Sequence, residues 1–286
     1  MNYQRKAIGL EKTMSKFEGL TYKTFSARKK ILKYIVHALQ NQQPIHLVNI
    51  ICPGYQKDRA SGVEDFAFKR LSSDIKECPN VLSMIEKLER YMTYLGDKIP
   101  EIPIKSTIIL ADTAILNYKE MQRMQNVDNI LEAFSFSIKE YIYNRMKLNN
   151  YFRDISFLRM SQMGGYFKKL RIEGYPVDLS MYGMENVRHE VRIKARQYVR
   201  ELIVDRTSPA KNKTSSFKNM PFQDIVGQSR LEVLRFLYEY GLAGRQIYNS
   251  IPQAVMTFAE PSGPMRGYLY NAFIYSDDYL PVIYLP

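Results

Sequence analysis

Three groups of residues have types and spacing suited to chemistry. In CPGYQKDRASG, residues 52–62, Lys57 and Arg59 stand two apart beside Tyr55, with Glu64 just beyond. Cations this close can hold a phosphate or carboxylate, the guanidinium as a bidentate fork; the other reading is a solvated loop with incidental charge. Asp112 follows the apolar run STIIL, where carboxylates at strand ends contact ligands. It would equally serve as a turn or helix cap. Arg188, Arg192, Arg196 and Arg200 recur every fourth residue. They form one stripe on a helix, suited to a phosphate backbone or, with Glu185, Glu190 and Glu201 among them, to a salt-bridged face.

Cys52 is a further candidate. At the end of a strand its thiol could act as a nucleophile if Lys57 or Arg59 lowered its pKa, or it could be a small buried residue like most free cysteines. Other chemistries lack their signatures. His37, His46 and His189 have no partner at metal-ligand spacing, so no His-rich metal site is expected. There is no GxGxxG, no Walker-type loop and no GxSxG elbow. The 22 tyrosines and no tryptophan fit an aromatic pocket or base stacking as well as ordinary packing.

The elements that must position these residues alternate between strand and helix. FSARKKILKYIVHALQ has helical apolar spacing, with Ser26 as a candidate cap, and after Pro44 the run Ile45 to Ile51 reads as a buried strand. Glu64 to Glu77 reads as a helix. So does NVLSMIEKLERYMTYLG, with Asn80 as cap, a stripe of Val81, Ile85, Leu88, Met92 and Leu95, and Gly96 as stop. Ile104 to Leu110 reads as a second strand and 128–148 as a helix. The pattern weakens over 149–183. Helices then follow over 186–206 and near 229–240, separated by the basic loop TSPAKNKTSSFKNMP. The tail reads as a β-hairpin around EPSGP and a short terminal strand.

Long helical stretches between strands imply parallel order with crossover helices. The expected fold is a single α/β domain over 1–286: a Rossmann-like, mostly parallel sheet flanked by helices, with a helical basic elaboration at 149–220 and a C-terminal β-hairpin.

At 286 residues and 45% apolar content the chain can bury a large core. Its formal charge of +12 favours anionic partners. Residues 145–218 hold sixteen Lys and Arg against seven Asp and Glu, so one region carries most of the excess. Two cysteines, a polar basic start and the lack of a long apolar run point to a soluble cytoplasmic protein without a disulfide framework or membrane partner.

Taken in series, these elements resemble the isonitrile (isocyanide) synthase family, which includes the fungal spore-wall dityrosine protein. That family has a helix leading into a "PI" strand, a loop PAFPxKSPN, then a glycine and a helix patterned ExxALxxL. Here PIHLVNIICPGYQK is the counterpart, with Pro53, Gly54 and Tyr55 matching P-A-F and Lys57 one position early; Gly62 and then Glu64, Ala67, Phe68 and Leu71 follow the helix pattern. IILADT is similar to the family strand ending in SDG, with Asp112 at the acidic position, and IPQAVMTFAEPSGPMRGYLY has the outline of the segment containing RLSIHP. The likeness covers residues 25–118 and 230–284. Three departures stand out: the family histidine is Ala259 or Glu260, the glycine after the aspartate is Thr113, and the closing TPWH is YLPVIY.

The resemblance implies a reaction without a metal or other cofactor. The amino group of an aromatic amino acid gains its isonitrile carbon from a sugar phosphate, ribulose 5-phosphate. Asp112, Lys57 and Glu64 are then the catalytic candidates, and Arg59, Tyr55, Arg188 and Arg192 the substrate-binding ones. A second resemblance, to tRNA-dependent cyclodipeptide synthases, rests on His46 and Cys52, whose separation is that of a histidine and a nucleophilic serine in that family. It implies acyl transfer with Cys52 as nucleophile and tRNA as partner. A third reading is a non-catalytic basic protein that binds RNA. The sequence sets no oligomeric state.

Overall fold

The computed structural model describes residues 3–17, 20–22, 25–51, 73–110, 112, 127–152, 154–163, 253–259 and 281–285, with the positions 221, 223–224, 226–227, 231, 247 and 249–251. Helices α1 (Tyr3–Met14) and α2 (Phe25–Asn41) flank a two-residue strand β1 (Thr21–Tyr22) and lead into β2 (Ile45–Ile51). Next come α3 (Pro79–Lys98), β3 (Ile104–Leu110), α4 (Val127–Leu148), β4 (Ile155–Arg159), β5 (Ala254–Ala259) and β6 (Val282–Leu285).

Six strands form one sheet in the order β1-β6-β5-β2-β3-β4. Every pairing is parallel except that of β1 with β6. The five parallel strands make this an α/β fold of the Rossmann-like kind. The chain steps from β2 outward to β3 and β4, then resumes on the other side of β2 with β5 and β6. The order therefore reverses between β2 and β5, and such a switch point is where open α/β sheets hold ligands, beyond the carboxyl ends of the strands.

Burial explains why these segments are strands. All seven residues of β2 are buried, as expected of a parallel strand covered on both faces. One face, carrying Ile45, Leu47, Ile51, Ile108, Leu110, Val255, Ile283 and Leu285, packs into the core formed with the helices. Val48, Ile50, Ile109 and Met256 on the opposite face are buried too. The expected stripe of α3 is wholly buried: Val81, Ile85, Leu88, Met92 and Leu95. On α4 the buried set is Leu131, Phe134, Ile138 and Ile142, at helical spacing. Each such side chain contributes roughly 1.5–3 kcal/mol through burial.

Polar clamps set the helices against one another. Glu11, buried on α1, accepts two bonds of 2.9 Å from the Arg28 guanidinium of α2. Glu89, buried on α3, accepts from Arg145 of α4 at 2.7 Å and from Asn149 at 3.0 Å.

Several elements differ from expectation. Helix α1 was not expected; its Ala7, Leu10 and Met14 make a narrow buried stripe within a charged segment. The cap of α3 is Cys78, with Pro79 at the first helical position and Asn80 inside the helix. Gly96 does not stop α3, which continues to Lys98. Its role is steric, because the ring of Tyr151 lies where a Cβ would stand. The elaboration expected from residue 149 contains a strand of the sheet itself, β4, paired in parallel with β3. Of the expected helix Glu64 to Glu77, the described end is a short 3-10 turn, Ile75–Glu77, whose Lys76 N–H is capped by Asp74 at 2.9 Å. The hairpin turn around EPSGP lies outside the described residues; β5, the strand before it, has a parallel partner on each side. The terminal strand is β6.

Candidate functional site at the carboxyl end of the sheet

Parallel strands deliver their carboxyl ends to one edge of the sheet. At that edge β3 ends at Leu110 and β4 at Arg159, and these two residues are register partners. Asp112 lies just past β3, its N–H donating to the Leu110 carbonyl at 2.9 Å in a tight reversal. Its side chain is wholly buried.

Three donors converge on that carboxylate. Arg159 donates through Nε to Oδ2 at 2.7 Å. Ser161, in the 3-10 turn Met160–Gln162, donates its N–H to Oδ1 at 2.8 Å and its hydroxyl to Oδ2 at 2.5 Å. A carboxylate has about four lone-pair positions, so most of the acceptor capacity of Asp112 is already used. Its charge is matched by Arg159, whose side chain is itself only 14% exposed. The geometry suits an anchor that fixes Arg159 and the 3-10 turn. Among the described residues Arg159 and Ser161 complete the site, and neither was singled out from sequence. The signal that could have found them was ISFLR, a short strand whose last residue falls level with the end of β3.

His46 occupies a different place. It lies near the amino end of β2, where Nε2 meets Thr107 Oγ1 at 2.8 Å and Thr107 meets Ser156 Oγ at 2.7 Å. Its N–H donates to the Tyr34 hydroxyl at 2.7 Å. Burial, with a smaller effect from Lys105 and an opposing one from Asp154, lowers the ring pKa to about 4. Burial likewise raises Tyr34 to about 12. The imidazole is therefore neutral at pH 7 and joins three strands by hydrogen bonds. Ile51, the end of β2, stands five positions after His46, about 16 Å along a strand.

Of the other candidates, Cys52, Tyr55, Lys57, Arg59, Glu64, Arg188 and Arg192 lie outside the described residues. The chain does leave β2 at Ile51 toward residues 52–62, on the carboxyl side of the switch point. Among the described residues no group of His, Cys, Asp and Glu could hold a metal ion. Among them also, no helix is long and apolar enough to cross a membrane.

Comparison with solved structures places this arrangement among known folds. The PvcA protein of Pseudomonas aeruginosa superposes with a TM-score of 0.53 at 13% sequence identity, over 91% of this chain and 80% of that one. The fold is similar to that of PvcA. A cyclodipeptide synthase from Candidatus Glomeribacter gigasporarum, bound to Phe-tRNAPhe, gives a TM-score of 0.43 at 15% identity, over 87% of this chain and 92% of that one. At that score the second likeness carries no structural argument. No family model matches the sequence, and no curated protein matches it.

Proposed function

We propose that this protein is a biosynthetic enzyme related to isonitrile synthases, joining the amino group of an aromatic amino acid to carbon from a sugar phosphate such as ribulose 5-phosphate. The sequence resemblance to isonitrile synthases and a fold similar to that of PvcA support the reading. The observation that carries it is the cluster of buried Asp112 with partly buried Arg159 and Ser161, at the strand end where the sequence resemblance puts the family's acidic residue.

The reaction asks three things of its site: a seat for a phosphorylated sugar, imine formation between amine and ketone, and proton transfers during fragmentation. In this reading Lys57 and Arg59 hold the anion and Tyr55 contacts the aromatic substrate. Lys57 and Glu64 carry the proton transfers in this reading. Asp112 acts through the groups it fixes. Arg188 and Arg192 contribute positive charge to the approach of the sugar phosphate.

The reading with Cys52 as nucleophile receives less support. A histidine at His46 belongs to the amino end of β2, and its Nε2 is engaged with Thr107.

The test is product formation. Purified protein is incubated with tyrosine and ribulose 5-phosphate, with the amino acid labelled with nitrogen-15, and the products are analysed by mass spectrometry and infrared spectroscopy. A labelled isonitrile that requires both substrates supports the reading. Unchanged substrates across a panel of aromatic amino acids would sink it.

A further inference from the structure

The three clamping arginines differ in how much of the guanidinium they commit. Arg28 meets Glu11 with both Nε and Nη2. Arg145 meets Glu89 with Nε and Nη2, the latter at 2.6 Å. Arg159 meets Asp112 through Nε alone, and among the described residues its Nη1 and Nη2 have no partner. Among the described residues, the terminal fork of this side chain, only 14% exposed, is left available to a further partner.

We infer that the Nη1 and Nη2 groups of Arg159 form an oxyanion-binding fork at the carboxyl end of the sheet, for the phosphate of a sugar phosphate or the carboxylate of an amino acid. The inference rests on the placement of the site in the proposed function, not on the isonitrile chemistry. Nε lies on the inner edge of the guanidinium and is held by Asp112, so the plane of the group is fixed and its outer edge is presented ready-made. Planar, bidentate recognition of phosphate or carboxylate is the task arginine performs best. Holding the plane in advance removes much of the ordering cost of binding. Asp112 offsets the charge, so recognition rests on hydrogen-bond geometry more than on net attraction. Position agrees as well, because Arg159 ends β4 on the edge where ligands of open parallel sheets sit.

The test is a thermal-shift titration of the full chain with inorganic phosphate, ribulose 5-phosphate and tyrosine, for wild type, Arg159→Lys and Arg159→Gln. Lysine keeps a cation for Asp112 and removes the fork. Wild type is expected to show a saturable shift with phosphate and sugar phosphate. In folded variants the apparent Kd should rise at least about tenfold, the loss of one or two charge-assisted bonds. A shift from tyrosine alone, lost in Arg159→Lys, would assign the fork to the carboxylate. Equal affinities in wild type and variants, or no shift from any of the three, would overturn the inference. Should both variants fail to fold, phenylglyoxal footprinting of wild type decides: phosphate must slow modification of Arg159, and an unchanged rate overturns the inference. Anion binding at Arg159 without isonitrile product would remove the proposed reaction and leave the fork standing. Product formed equally well by Arg159→Lys would do the reverse.

Discussion

At the scale of single residues, Asp112 and its partners hold the carboxyl ends of β3 and β4 together. A buried carboxylate holding a nearly buried arginine is expensive to disrupt from one side, because the remaining charge is stranded. Asp112→Ala should therefore lower unfolding free energy by about 3 kcal/mol in urea denaturation. Asp112→Ala with Arg159→Met should recover most of that loss, since no charge is then left alone. A double variant as unstable as the single one would show that the pair is not the main contribution of Asp112.

His46 gives a prediction in pH. Its folded pKa of about 4 lies below the ordinary 6.5, so the unfolded chain binds more protons between these values. Its contribution is fully present above pH 6.5 and is lost as pH falls toward about 4. The limit is about 3 kcal/mol, reduced by solvent screening of a ring that is not wholly enclosed. His46→Gln should flatten that limb of the stability curve relative to wild type. An equally steep limb in the variant would assign the titration to other groups.

At the scale of elements, Gly96 shows how packing overrides propensity. Alanine is the better helix former by about 1 kcal/mol, yet at position 96 a Cβ meets the Tyr151 ring. Gly96→Ala should destabilise the protein by about 1–3 kcal/mol, and adding Tyr151→Ala should relieve most of the added strain. The midpoint of chemical denaturation reads both. A stabilised Gly96→Ala would mean that the Tyr151 turn is free to move aside. The same element explains what the sequence revealed. The stripe of α3 was plain in its spacing, but the contact that selects glycine comes from a turn fifty-five residues away. Strands β2 and β3 were readable to their end residues because IHLVNII and IKSTIIL are rich in aliphatic and β-branched residues and each begins just after a proline, Pro44 and Pro103. Strand β4 was not: it is a five-residue edge strand with mixed burial, and Ser156 and Arg159 break its apolar character. That obscured half of the candidate site, while Asp112 was found because it follows a clear strand. Strand β5 suggested a hairpin because turn residues follow it. Its actual neighbour β2 is some two hundred residues earlier, which no local pattern reports.

At the scale of the whole molecule, strand order sets which edge of the sheet carries the switch point. The reversal between β2 and β5, the Asp112–Arg159 cluster at the ends of β3 and β4, and the end of β2 at Ile51 all fall on one edge of the sheet. The formal charge of +12 favours anionic partners for the chain as a whole. The amino edge, with neutral His46 bonded to Thr107, is built for cohesion. The most direct test is a crystal structure of the protein with ribulose 5-phosphate. Its phosphate is expected at the carboxyl ends of β2 to β5, within hydrogen-bond reach of Nη1 or Nη2 of Arg159. Ordered sugar phosphate at the amino end beside His46, with Arg159 untouched, would contradict it.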